Sequence, residues 1–269
     1  MTDVPKLLSA DLALELLENT SGLSSLEICQ QVLAIRSLSP GMAERLSAAL
    51  LFGDPRFSRL PDGNWVQAGA AAESVPLEEA VFVVVDVETT GFRPPADRVI
   101  EVAAVRVAGG AAVEEFSTLV NPGRPIPGPI TGLTGITWDM VARAPEFSQV
   151  AEDFLDFLGD SVFVAHNAPF DWRFIQSEVS LAAGRRLLNR RLCTRHMAAR
   201  LCPELSRRSL DDLARFFNLD FGQRRHRALG DARVAAEALL LLVARAKELG
   251  IENLATLFEC LEPRKTRKK

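Results

Sequence analysis

The sequence predicts an α/β fold, a mixed β-sheet flanked by helices, with a small helical unit ahead of it. Three observations carry that reading. From Ala80 to Val85 the chain is an unbroken apolar run rich in valine, the pattern of a central strand buried on both faces. Two alternating segments follow and join at a Gly-Gly pair, as a hairpin does. Beyond residue 146, helical periodicities alternate with short apolar runs, the element order of a sheet covered by helices.

Residues 1–68 read as the small unit. Helical spacing of apolar residues runs through Leu7–Leu17, Leu26–Ile35 and Met42–Leu51. Ser24 or Ser25 suits the N-cap of the second helix, and Pro40 opens the third where proline is tolerated. Arg56–Leu60, a turn at Pro61-Asp62-Gly63-Asn64, and Trp65–Gln67 form a hairpin. Three helices and a hairpin make a winged-helix-like module. Its third helix offers Arg45 as the only basic side chain, little for reading DNA, so protein contact or substrate positioning stays open beside nucleic-acid binding. Residues 69–79 are rich in alanine and glycine and read as a linker, with a short helix as the alternative.

The larger domain spans 80–250. After the Ala80 run, Arg98–Val107 and Ala112–Val120 pair through Gly109-Gly110. Asn121–Pro129 is a loop, and Glu146–Leu158 an amphipathic helix with Phe147, Val150, Phe154 and Leu158 on one side. Val162–Ala165 is a buried strand leading into a helix through Leu181, and Leu187–Thr194 a fifth strand. Helices follow near His196–Leu201, Leu210–Phe217 and Asp231–Leu249. Residues 251–269 complete the chain as a C-terminal helix and a basic, disordered tail.

Bulk properties narrow the setting. The chain has 269 residues, 48% of them hydrophobic, enough for one large domain or two modest ones. Asp3, Asp11, Glu15 and Glu18 interrupt the opening apolar stretch, so no secretion signal is expected. The longest apolar runs are too short to span a bilayer, which argues against a membrane partner. Cys29, Cys193, Cys202 and Cys260 have neither metal nor redox spacing and read as reduced thiols of a cytoplasmic protein. The net charge is −4, but it is unevenly spread. Between Arg185 and Arg227 there are twelve arginines against four acids. That segment is the candidate phosphate-binding surface, with Arg224, Arg225 and Arg227 abutting a motif; a solvated helical face is the bland alternative.

Three segments carry the chemistry: Asp86-Val-Glu-Thr-Thr-Gly91, His166-Asn-Ala-Pro-Phe-Asp171 and His226-Arg-Ala-Leu-Gly-Asp231. Asp86 and Glu88, two apart at a strand end, point to one face. Asp171 and Asp231 each open a helix, where an acid is also favoured by the dipole alone. Four carboxylates in one pocket repel unless divalent cations neutralise them, and all-oxygen ligation suits Mg²⁺ or Mn²⁺ rather than zinc. Two such ions clamp the attacking and leaving oxygens of a phosphodiester. The residues therefore suggest metal-dependent cleavage of nucleic acid.

In that order the three segments resemble the exonuclease motifs of the DnaQ-like (DEDDh) 3′–5′ exonucleases, the family that includes the proofreading epsilon subunits of bacterial DNA polymerase III. The similarity covers roughly residues 80–248, with further agreement at Leu133-Thr-Gly-Ile136 and Ala144-Pro-Glu-Phe147. It implies a ribonuclease-H-like sheet. It implies Asp86, Glu88, Asp171 and Asp231 as ligands of two cations and His226 as the general base. Thr89, Thr90, Asn167, Phe170, Arg225 and Arg227 are the candidate substrate contacts, Phe170 having core packing as its alternative. The implied substrate is single-stranded or 3′-ended nucleic acid, DNA first and RNA second. A DNA polymerase or another replication or repair protein is the implied partner. A non-catalytic adaptor would normally have lost an acid, and none is lost here. Residues 1–68 separately resemble winged-helix modules of the HARE type.

Overall fold

The structure, a computed structural model, describes residues 4–17, 22–52, 54, 56–59, 63–67, 75–221 and 225–261. The turn at Pro61-Asp62, most of the expected linker, Arg224 and the basic tail lie outside these. The chain divides into two compact units, residues 1–74 and 75–269.

The first unit contains α1 (Val4–Leu17), α2 (Ser25–Gln31), α3 (Pro40–Leu51), β1 (Phe57–Arg59) and β2 (Trp65–Gln67). Ser24 caps α2 in a reciprocal box with Glu27. The helix ends at Gln31, short of the expected Ile35, and Ala34 adopts a left-handed φ of +56°. β1 and β2 pair antiparallel, and Leu23 bonds both ways to Trp65. Trp65 is buried with Ile28, Leu51 and Phe57, and its indole N–H donates to Ser47 Oγ at 3.1 Å. Arg56 and Arg59 are engaged with carboxylates of their own unit, Arg56 with Asp54 and Asp11, Arg59 with Glu44.

The second unit is a five-stranded mixed sheet of order β5-β4-β3-β6-β7. β3 (Phe82–Thr89), β4 (Val99–Ala108) and β5 (Ala111–Leu119) run antiparallel. β6 (Val162–Ala165) and β7 (Arg191–Cys193) add parallel to β3. Between β5 and β6 come α4 (Gly128–Thr134), α5 (Trp138–Val141) and α6 (Phe147–Leu158). Then follow α7 (Ala168–Ala183), α8 (Thr194–Leu201), α9 (Leu210–Phe217), α10 (Ala228–Glu248) and α11 (Leu254–Leu261). No described helix is long and apolar enough to cross a membrane.

Alternation along β3 sorts its side chains. Val83, Val85 and Val87 join Phe154, Phe174 and Ile175 in the main core with α6 and α7. The intervening residues, Asp86 and Glu88 among them, face the side on which α10 packs over β3 and β4. Besides α4 and α5, which the sequence reading did not anticipate, three departures from expectation stand out. Residues 75–79, expected as linker, belong to this unit: Leu77 N–H donates to Glu252 O, and Leu254 N–H to Val75 O. The fifth strand is confined to Arg191–Cys193, because side chains hold the preceding backbone and its surroundings instead. Gln176 accepts from Leu187 N–H, and Asn189 donates to Gly159 O and Ser161 O. α10 begins three residues before Asp231, its first amide, Ala228 N–H, donating to buried Glu101 at 2.9 Å.

Candidate active site

Three elements bring the acids together. β3 presents Asp86 and Glu88, and the first turn of α10 presents Asp231. One carboxylate oxygen of each lies within 4.8 Å of the other two. Asp171, in the first turn of α7, stands outside this tight trio. It is buried, and its Oδ1 accepts from Val87 N–H at 3.3 Å, which ties α7 to the same strand between the two β3 acids. All four acids line one cavity of about 390 Å³, together with His166, Asn167, Phe170, Arg195, Arg208, Arg225 and His226.

Crowding these acids has an electrostatic cost. Burial, then Asp171, Glu88 and Asp231, hold the Asp86 carboxyl well above its usual range. Burial, then Asp231 and Glu101, push Glu88 up to about 7. Burial raises Asp231 to about 6 against the opposing Arg225. Asp171 is raised by burial, with backbone amides working the other way. Among the described residues, Arg225 is the cation paired with this trio: it engages Asp231 Oδ2 and reaches Asp211 on α9 at 3.0 Å. The second oxygen of Asp231 is buried without a hydrogen-bond partner among the described residues. A convergent trio of raised-pKa carboxylates with an unsatisfied buried oxygen fits a divalent cation. The donors are all oxygen, so a hard cation suits them.

The two motif histidines have separate surroundings. His166 Nε2 donates to Arg208 O at 3.1 Å, which leaves Nδ1 to accept from Thr194 Oγ at 2.9 Å. Burial lowers its pKa to about 4, so it is a neutral strut between β6, α8 and the approach to α9. His226 lies just before α10 in a left-handed conformation, φ +60°. It is half-buried and faces the cavity. Burial and then Arg225 lower its pKa, which keeps the imidazole neutral near pH 7.

The expected substrate contacts divide. Asn167, the left-handed residue that opens α7, is exposed in the cavity wall. Phe170 has a double position: it packs on Phe174 at 5.0 Å and meets exposed Phe92 edge-on at 6.3 Å. Thr89 and Thr90 are buried outside the cavity lining. Thr89 Oγ donates to Gly91 O, Thr90 Oγ accepts from Arg98 N–H, and the Thr90 amide donates to Arg98 O, so both hold the loop rather than offering free groups. Gly91 is needed there, because a Cβ would meet the Asp97 carboxylate at 2.5 Å. Arg227 does not line the cavity; it forks onto Glu101, with Nη2 to Oε1 at 2.6 Å, and anchors α10. Arg225 sits in the acidic cluster as described.

Arg195, Arg208 and Phe92 were not singled out by the sequence. The first two lie among a dozen arginines with no local signal to separate them. Phe92 follows Gly91 in an exposed loop, and only its contact with Phe170 brings it to the cavity mouth.

With the geometry in view, comparison with known proteins is informative. The family model described as exonuclease, of the RNase T type, matches residues 83–239. Over 167 residues the chain is 40% identical to the DNA polymerase III epsilon subunit of Aquifex aeolicus, covering 62% of this chain and 82% of that protein. It is 42% identical over 203 residues to a putative bifunctional exonuclease/endonuclease protein of Mycobacterium tuberculosis. That match covers 71% of this chain but spans only 30% of the relative's length. Among solved structures, exonuclease X in complex with 5′-overhanging duplex DNA aligns with a TM-score of 0.53 and 26% identity. It covers 67% of this chain and 99% of that one.

Proposed function

The chain belongs to the exonuclease family, and from that premise we propose that it removes nucleoside 5′-monophosphates one at a time from the 3′ end of DNA, with two divalent cations, Mg²⁺ or Mn²⁺, as cofactors. The observation that carries this is the convergence of Asp86, Glu88 and Asp231, with one oxygen of Asp231 buried and unpaired. Asp86, Glu88, Asp171 and Asp231 are the residues that would hold the cations. Bound there, such ions supply Lewis-acid stabilisation of the attacking and leaving oxygens.

The chain's own groups do the rest. His226, neutral at physiological pH, takes the proton of the attacking water. Phe92 and Phe170 offer an aromatic edge for the terminal base, and Asn167 lies beside them for the sugar. Arg195 and Arg208, also in the cavity lining, would hold the scissile phosphate, the buried Nε of Arg208 having no partner among the described residues. Arg225 bridges Asp231 and Asp211, so Asp211 would retain it where cations took its place on Asp231. The four cysteines are free thiols, in keeping with a cytoplasmic setting.

Proofreading beside a DNA polymerase is supported by the 40% identity to an epsilon subunit. Residues 1–68 would serve as a winged-helix-like module for protein contact, substrate positioning or nucleic-acid binding. A time course on 5′-labelled single-stranded DNA and RNA of equal sequence tests the reading. A descending ladder on DNA with Mg²⁺, lost in EDTA, is expected. Release of the 5′-labelled mononucleotide first, or undiminished cleavage in EDTA, would reject it. A faster ladder on RNA would move the substrate class to RNA.

A further inference from the structure

A second concavity lies on the other flank of α7. It encloses about 900 Å³ and is walled by the loop after β3 and by α7 with the segment that follows it. Its charged lining is four arginines: Arg93, Arg173, Arg186 and Arg191. All four are exposed. No acidic residue lines it, and among the described residues none of the four has a carboxylate within ion-pair distance. That gathers four positive charges along one groove of an acidic chain. Arg98, Arg106, Arg185, Arg225, Arg227, Arg233 and Arg245 are each paired with an acid.

The groove is also organised. Arg191 stacks over Trp172 at 4.7 Å, and Trp172 is fixed edge-on against buried Phe163 at 5.1 Å. Arg173 Nε donates to Pro169 O, which leaves its terminal nitrogens pointing outward. The groove joins the acidic cavity through two features. Phe92 touches Phe170 at the cavity mouth, and the next residue, Arg93, lines the groove. On α7, Asp171 faces the cavity while Trp172 and Arg173, about 100° and 200° further round, face the groove.

We propose that this groove holds the sugar-phosphate backbone of the substrate strand upstream of its 3′ end, while the acidic cavity holds the terminal nucleotide. The inference rests on the exonuclease reading and extends it to how a strand is held. Arginines without acidic partners lining a groove that leads to the cavity are the element by which proteins track a strand's phosphates without reading sequence. Four phosphates held this way would give strand binding a salt slope of about −2.8.

The test uses the full-length protein and two probes. The p-nitrophenyl ester of thymidine 5′-monophosphate reaches only the cavity; a single-stranded DNA 20-mer reaches both sites. Arg173→Glu, Arg186→Glu and the double variant are compared with wild type. Ester hydrolysis should be unchanged, which also reports that the variants are folded. For the double variant, KM on the 20-mer should rise about tenfold, and the salt slope of strand binding should become shallower by about 1.4. Unchanged KM and slope with intact ester hydrolysis would overturn the groove alone, and is what a groove built for an acidic protein segment would give. If wild-type protein cleaved neither probe, the exonuclease reading would fail, and the groove would fall with it.

Discussion

The two flanks of α7 carry opposite concentrations of charge. On one, four carboxylates crowd a cavity in which Arg225 engages Asp231, with Arg195 and Arg208 also in the lining. On the other, four arginines line a groove with no acid among them. Elsewhere buried acids are matched by arginines, as Glu178 is by Arg98 and Glu101 by Arg227. Like charges gathered without internal neutralisation are costly, and here the cost is visible in the raised carboxyl pKa values of the cavity. Each flank therefore holds an excess of one charge that a partner from outside would neutralise. Cations suit the first and phosphates the second, and a nucleic-acid strand with its metal ions supplies both.

The acidic side should break most sharply. Asp86→Ala and Asp231→Ala should each reduce turnover to background while the fold survives, because removing one of several repelling acids relieves strain in the metal-free protein. Near wild-type turnover in either variant, with circular dichroism unchanged, would mean that the cluster is not the catalytic centre. His226→Ala should lower kcat by about 10²–10⁴ and leave Mn²⁺ affinity intact. Loss of a metal site in that variant would make His226 a ligand instead of a base.

The pH response sharpens the same contrast. Glu88 and Asp231 have folded-state values near 7 and 6, above their unfolded values. Between about pH 4 and 7 the folded chain therefore holds protons that the unfolded chain has released, and its stability falls as pH rises through that window. In EDTA, Tm should decline from pH 5 to pH 8, and saturating Mg²⁺ should remove most of the decline. A flat profile in EDTA would show that the acids are not thermodynamically crowded. A smaller effect is expected for Arg225→Gln. Without its internal cation, the metal-free protein should lose about 2–4 °C in Tm, and Mn²⁺ should restore most of it. An equal loss with and without Mn²⁺ would make Arg225 a packing residue only.

The elements that carry the acids were legible because their signals are local. The valine run of β3, the two-residue spacing of Asp86 and Glu88, and the apolar strand before α7 are each complete within a few residues. What fixes the site in place was not legible, because it acts over long stretches of sequence. Glu101 on β4 anchors both Arg227 and the first amide of α10, and so sets where Asp231 stands. Glu178 on α7 clamps Arg98 and Val99 N–H at the start of β4. Neither glutamate differs in sequence from a surface acid, although both are buried. For the same reason Arg227 reads from sequence as a phosphate contact, while its guanidinium is committed to Glu101. Thr89 and Thr90 likewise read as substrate contacts, yet they brace the loop that carries Phe92.

Acids held together to be neutralised by divalent cations must bind such cations. Calorimetric titration of Mn²⁺ into metal-free protein at pH 8 tests it most directly. Saturable binding of at least one Mn²⁺ per chain is expected, abolished by Asp86→Ala and Asp231→Ala and retained by His226→Ala. Absence of binding at millimolar Mn²⁺, or binding that survives loss of Asp86 and Asp231 together, would contradict it.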